Sequence, residues 1–266
     1  MGHISAKIVA DSINKQGDRI TTFELEFPRY ILAELNTHRA FSRNSASSRA
    51  IPIKKMLRHI SKNPFIPVAW QKDHKGMQGT EYITSPNEIF FLRKFWMENM
   101  EFQISKVKDL HNYTGVTKQI CNRLLEPFMW HKVIITTTNL GLDNFFNLRL
   151  PRYQIEEGLE VSSRMLFLNQ LTPENQEKYK NWTQLDWLKI NKSDAEIHIS
   201  LLAESMFNEL HLSTPKQLAF NEYHIPYSGD INFIEITSGM SLEDKIKVSI
   251  GMCARVSYTP VGDGVS

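Results

Sequence analysis

The sequence predicts an α/β (α+β) fold: a central antiparallel or mixed sheet flanked by long helices. Three observations carry that expectation. Residues 7–13 and 20–27 are apolar segments joined by a polar turn at Asn14 to Asp18, the pattern of a hairpin. Residues 133–138 are β-branched throughout and read as a buried strand. Apolar residues recur with helical spacing after Ser85 and after Ser193, over lengths typical of helices.

The elements follow in order. Pro28 opens a helix, because its fixed φ suits the first turn. Ile31, Leu32 and Leu35 give that helix an apolar side, and it delivers His38 and Arg39 at its end. Residues 53–62 form a second helix. Residues 74–84 are polar and glycine-containing, a loop. Ser85-Pro86-Asn87-Glu88 reads as a capping box, with a long helix following to about His111. Its Phe90, Phe91, Phe95, Trp96, Phe102 and Ile104 mark core or a subunit interface. Residues 117–125 form a helix ended by Pro127, and Asn144 to Arg149 start the next. Residues 150–192, with Pro151 and Pro173, are weakly patterned and read as an insertion in an otherwise single domain spanning 1–266. Ser193 and Glu196 form another capping box, and residues 241–257 are the last helix.

Composition excludes several classes. With 41% hydrophobic residues the chain can bury a real core, and a net charge of +2 is too small for a bulk polyanion binder. No nucleic-acid partner is therefore expected. The two cysteines, Cys121 and Cys253, have neither metal nor disulfide spacing, and the nine histidines form no cluster, so no metal site is expected. The first ten residues lack an apolar signal core and no run reaches membrane-spanning length, which predicts a cytoplasmic protein with no membrane partner.

The most informative run is Thr37-His38-Arg39-Ala40-Phe41-Ser42-Arg43-Asn44-Ser45-Ala46-Ser47-Ser48-Arg49-Ala50-Ile51-Pro52. It holds three arginines and four serines and no carboxylate. Arginine forks onto phosphate oxygens, and serine hydroxyls with backbone N–H groups complete such a cradle. A phosphorylated small molecule is the ligand this chemistry points to.

The run resembles the signature of the flavin-dependent thymidylate synthases: Arg-His-Arg, two residues, Ser, one, Asn, two, Ser, one, Arg. His38, Arg39, Ser42, Asn44, Ser47 and Arg49 fall in register, and Thr37 replaces the first Arg. Residues 115–127 resemble the family helix that brings an arginine to the nucleotide, and residues 143–149 resemble its second nucleotide-binding helix. Residues 252–258 resemble its Ala-Ala-Arg-Val-Ser element, here at the C-terminus, a permuted order like that of the variants carried by tailed phages. The resemblance touches roughly residues 20–52, 113–149, 193–227 and 245–258, about half of the chain.

The resemblance implies a thymidylate-synthase-complementing-protein-like fold and transfer of a one-carbon unit from methylenetetrahydrofolate to C5 of dUMP. FAD carries the hydride, NADPH restores it, and no enzymatic cysteine attacks the base. By position, Ser47 and Arg49 resemble the phosphate cradle, with the backbone of Ser45, Ala46 and Ser48 beside it. Arg123 resembles a second phosphate-side arginine. Arg149 resembles the base-reading arginine, whose charge would stabilise the pyrimidine as C5 becomes nucleophilic. His38, Arg39 and Asn139 resemble flavin contacts, with Asn144 beside them. The family builds its active sites between subunits of a homotetramer.

The chain also departs from the family. Gly141-Leu142 stands where an arginine is usual, and Asp194-Ala195-Glu196-Ile197-His198-Ile199 replaces His-Ala-Gln-x-Glu-Ile. A His-x-Ser-Pro-Phe-Glu-His segment, expected after Ala254-Arg255-Val256-Ser257, does not follow before Ser266. Two other readings therefore stand beside the first: a dUMP or dCMP hydroxymethylase or methylase for modified phage DNA, and a nucleotide-binding relative without catalysis.

Overall fold

A computed structural model describes residues 3–75, 79 and 81–256. The predicted hairpin is there: β1 (Ser5–Ile13) pairs antiparallel with β2 (Arg19–Pro28). The side chain of Asn14 closes the turn by accepting from the N–H groups of Gln16 and Asp18. After Pro28 a single 3-10 turn, Arg29–Ile31, leads into α1 (Leu32–Leu35), a shorter helix than predicted. Then come β3 (Ser42–Ser45) and α2 (Ile53–Lys62), the latter as expected.

The long helix α3 (Pro86–Thr114) has Pro86 in its first turn, but Ser85 makes no capping bond through its side chain. It ends past His111, where Gly115 takes a left-handed conformation at φ 66° that only glycine enters without strain. Met100, Ile104 and Val107 are buried, whereas Phe90, Phe91, Phe95 and Phe102 are exposed. Next are α4 (Lys118–Arg123), β4 (Trp130–Thr138) and α5 (Asn139–Arg149), which starts five residues before the predicted Asn144.

The 150–192 segment is more regular than its sequence promised. It forms the hairpin β5 (Tyr153–Glu156) and β6 (Leu159–Val161), then α6 (Arg164–Asn169), α7 (Pro173–Glu177) and α8 (Gln184–Lys189). Tyr153, Phe167, Tyr179 and Trp187 give it an aromatic core of its own. No heptad or alternation announces this core, because its four rings come from three separate short elements and the turn after α7.

The helix α9 (Ile197–Leu212) is capped by Glu196, whose carboxylate accepts from the N–H groups of His198 and Ile199. Ser193 instead accepts from Ala195, so the predicted Ser193 box does not form. The short elements β7 (Lys216–Gln217) and α10 (Ile231–Ile236) follow, then α11 (Leu242–Arg255) with Ser241 as its cap. Ser257, the end of the last predicted helix, and Tyr258, the end of the 252–258 block, lie outside the described residues.

The main sheet has strand order β3-β4-β2-β1-β7, antiparallel except for the β1–β7 edge. Both faces are covered, which is why β4 reads as an unbroken β-branched run. Val133 and Ile135 join Phe23, Leu25 and Phe27 under α5 and α9, while Ile134 points the other way onto Tyr227, Phe233 and Val256. The expected α/β class, a mixed sheet with long helices on it, is the observed one. A third apolar cluster joins α2, α3 and α4 and sets the floor of the site described next.

Candidate functional site

The serine–arginine run turns off the sheet edge just after β3. Ala46 N–H donates to the Lys132 carbonyl at 2.9 Å, which ties the start of the loop to β4. Asn122, fully buried on α4, donates through Nδ2 to the carbonyls of Ser48 at 2.7 Å and Ile51 at 2.9 Å. Lys118 Nζ donates to the Ala50 carbonyl, and Ser48 Oγ donates to Glu126 Oε1 at 3.1 Å. A loop clamped this way presents its remaining donors in a fixed arrangement. The result is a pocket of about 290 Å³ lined by Arg29, Leu32, Ser45 to Arg49, Arg123 and Glu126.

The pocket has more donors than acceptors. Among the described residues, the N–H groups of Ser47, Ser48 and Arg49 meet no acceptor, and the Arg123 guanidinium has no carboxylate partner. Ala46 N–H, which the sequence reading set beside the cradle, is already used by the sheet. Arg49 is held only by its Nε–H to Gln119 Oε1 at 3.1 Å, which leaves its outer N–H groups for a ligand. Arg29 pairs with Glu126 at 3.3 Å and donates through Nη1 to His131 Nε2 at 2.9 Å. Burial, reinforced by the Arg29 charge, holds the His131 imidazole down to a pKa of about 3, so it stays neutral and accepts. Three arginines against one glutamate leave two positive charges in excess. That balance and the open N–H groups suit a phosphate monoester dianion.

The other predicted nucleotide residue lies elsewhere. Arg149, at the end of α5, forms an ion pair with Glu34 and donates through Nε to His38 Nε2 at 3.2 Å. It lines a separate cleft of about 510 Å³ with Arg152, Glu160, Ser162, Ser193 and Asp194. Burial and the Arg149 charge push the His38 pKa down, so its imidazole is a neutral acceptor. Burial raises Glu34, with Arg149 opposing that and Glu196 adding to it. Glu196 itself is held below the usual carboxylate range: burial works against its charge, but His198 and two helix N–H groups outweigh it.

Of the residues predicted for flavin, His38 lies against Arg149 and Phe145 of α5. The turn carrying His38 and Arg39 packs against the start of α5, where a Cβ on Gly141 would lie 2.1 Å from Thr137 Oγ1 and 3.2 Å from the Ala40 Cβ. Glycine stands at 141 because nothing larger fits there. Arg39, Asn139 and Asn144 are exposed, and Arg39 has no carboxylate partner among the described residues. The structure thus brings Ser45 to Arg49 together with Arg123, places His38 against Arg149, and brings neither Arg149 nor Asn144 to the serine loop. Sequence reasoning missed Arg29 and Glu126, which are 97 positions apart; only their shared distance from the serine loop in three dimensions reveals them. Two residues of the run serve the fold: the motif's Asn44 donates through Nδ2 to the Cys253 carbonyl at 2.8 Å, and Arg43, at a free position of the motif, donates to the carbonyls of Asn36, His38 and Phe41.

Neither cysteine is an activated nucleophile. Cys121 is buried, and burial together with Glu24 pushes the Cys253 thiol up. Among the described residues no group of His, Cys, Asp and Glu is placed to hold a metal ion, and no helix is long and apolar enough to cross a membrane.

No family model matches the chain, and no curated protein is significantly similar to it in sequence. Solved structures do resemble it. The UMP/dUMP methylase PolB from Streptomyces cacaoi bound with 5-Br UMP matches with a TM-score of 0.51 at 13% identity, over 97% of this chain and 97% of that one. The same methylase bound with 5-Br dUMP matches at 0.46 and 14% identity, over 90% of this chain and 73% of that one. At such identities the likeness establishes a shared fold.

Proposed function

We propose that the chain binds a pyrimidine nucleoside monophosphate and transfers a one-carbon unit to C5 of its base, with dUMP as substrate, methylenetetrahydrofolate as donor and dTMP as product. The observation that carries this reading is the pocket where the backbone N–H groups of Ser47, Ser48 and Arg49 and the Arg123 guanidinium converge with donors that no acceptor among the described residues uses. The fold adds support, since one structural neighbour, matched over 97% of each chain, is a UMP/dUMP methylase.

In this reading the loop N–H groups and the two arginines bind the phosphate and fix where the sugar and base emerge. Arg149 places a positive charge at the carbonyl edge of the base, which favours the electron-rich form that attacks through C5. Within one chain Arg149 lines a different cleft, so the reading needs a second copy to complete the site, as in a homotetramer with shared active sites. The exposed aromatic face of α3 suits such an assembly. In this reading FAD is held by His38, Arg39, Asn139 and Asn144, whose exposed arginine and amides would meet the phosphates of a dinucleotide. When bound and reduced by NADPH, FAD supplies the hydride.

One observation favours a second reading. The cleft of Arg149 is walled by Arg152, Glu160 and Ser162 of the 150–192 segment, so the surroundings of the base differ from a plain dUMP site. A dCMP substrate or a hydroxymethyl product, as in nucleotide modification for phage DNA, fits that difference.

A mass-resolved turnover assay with dUMP and dCMP in parallel, methylenetetrahydrofolate, FAD and NADPH tests both. A methyl gain on dUMP is the expected outcome. Modification of dCMP or a hydroxymethyl product moves the protein to the second reading, and nucleotide binding without product leaves a binder. Arg149→Ala is expected to abolish turnover in a folded protein; unchanged turnover removes Arg149 from the site.

A further inference from the structure

A further cavity shares no residue with either cleft above. It measures about 800 Å³ and lies where the 150–192 segment meets α9 and the loop after α2. That volume is typical of a small-molecule site. Pro64, Ile66, Pro67, Leu168 and Leu201 make its walls apolar.

Two of its polar side chains carry unmet donors. Trp130 and Gln184, both on its lining, carry a buried Nε1–H and a buried Nε2 amide that meet no acceptor among the described residues. The Gln184 amide cannot be turned round to cure this. Arg164 Nη1 donates to its Oε1 at 2.6 Å, and a guanidinium has no lone pair to offer the amide nitrogen instead. Glu204, the carboxylate on the lining, is already taken by Arg164, through its backbone N–H and its guanidinium, and by Tyr153 Oη–H. Arg93 stands at the edge with no carboxylate partner among the described residues. Apolar walls hold water poorly, and buried N–H groups left unpaired are costly.

We infer that this cavity is a second binding site, for a carboxylic acid with an apolar ring body. Its carboxylate oxygens accept from Trp130, Gln184 and Arg93 while the ring lies against the proline and leucine walls. The 150–192 segment then has a role: α6 and α8 close this site.

The test uses the whole chain labelled at its five tryptophan indoles, with 2-naphthoate as probe and nuclear magnetic resonance as readout. The Trp130 signal, assigned by its loss in Trp130→Phe, is expected to shift saturably. Leu201→Trp, which fills the cavity, should abolish the shift. Gln184→Glu keeps an acceptor for Arg164 but removes the amide donors, and should weaken binding at least tenfold while dUMP binding stays unchanged. An unmoved Trp130 signal overturns the site. Equal binding of 2-naphthylmethanol, or an unaffected Gln184→Glu, overturns the carboxylate assignment.

Discussion

Two arginine-bearing regions of this molecule differ in what their donors already do. Around the serine loop, Arg49 and Arg123 are exposed, and neither has a carboxylate partner among the described residues. Around α5, Arg149 is half-buried, paired with Glu34 and hydrogen-bonded to His38. A guanidinium without a partner gains fully from an arriving anion. One that is already paired must first give up its carboxylate, so its net contribution to binding is smaller. In the proposed reading the serine loop therefore carries the affinity, and the Arg149 cluster offers the ligand a preformed and adjustable charge.

The largest expected effect follows from the open side. Removing both Arg49 and Arg123 by alanine should weaken dUMP binding at least about a hundredfold, since each hydrogen bond from a charged donor is worth about 1.5–3 kcal/mol. Both side chains are exposed, so the thermal midpoint should stay within about 2 °C. Calorimetric titration reads the affinity. A loss under threefold would move the phosphate out of this pocket and erase the contrast between the two regions.

A smaller effect concerns the support under the loop. His131 is neutral when folded, with a pKa of about 3 against an unfolded value near 6.5. Between those values the unfolded chain binds the proton and the folded chain does not. Stability from this group is thus complete above about pH 6.5 and falls as the pH drops toward 3, at about 1.4 kcal/mol per unit. From pH 6.5 to 5 the loss should be about 2 kcal/mol in urea titrations. His131→Gln, which still offers an oxygen to Arg29, should flatten that slope; an unchanged slope would assign it to other groups.

Legibility in the sequence followed the same division. The strands β1, β2 and β4 and the helices α2 and α3 are periodic, and periodicity is what burial against a single face or between two faces imprints. The serine loop was legible for a different reason, the absence of any carboxylate among closely spaced arginines and serines. By contrast, β3 is Ser-Arg-Asn-Ser, with no β-branched residue; it is a strand because its main chain completes the ladder of β4. The Ser193 box failed because Glu196, three residues on, reaches two helix N–H groups itself. Arg29 and Glu126 were invisible since no local pattern links residues that meet only through the sheet. The same holds for the pairing of Arg149 with Glu34, which the sequence reading of Arg149 as a free base-reading cation did not contain.

The smallest expected effect bears most directly on that pairing. Glu34→Gln keeps the shape of the side chain but removes the charge facing Arg149. The folded protein should lose about 1 kcal/mol, the scale of a partly exposed ion pair, with no change in the serine loop. If Glu34 merely holds Arg149 back, the variant should bind dUMP about threefold more tightly, because less carboxylate attraction opposes recruitment of the arginine. If turnover collapses while affinity stays constant, Glu34 instead holds the guanidinium in its working position, and the pair acts as one preorganised unit. The two outcomes separate on affinity against turnover, and either one states which of the two arginine regions selects the base.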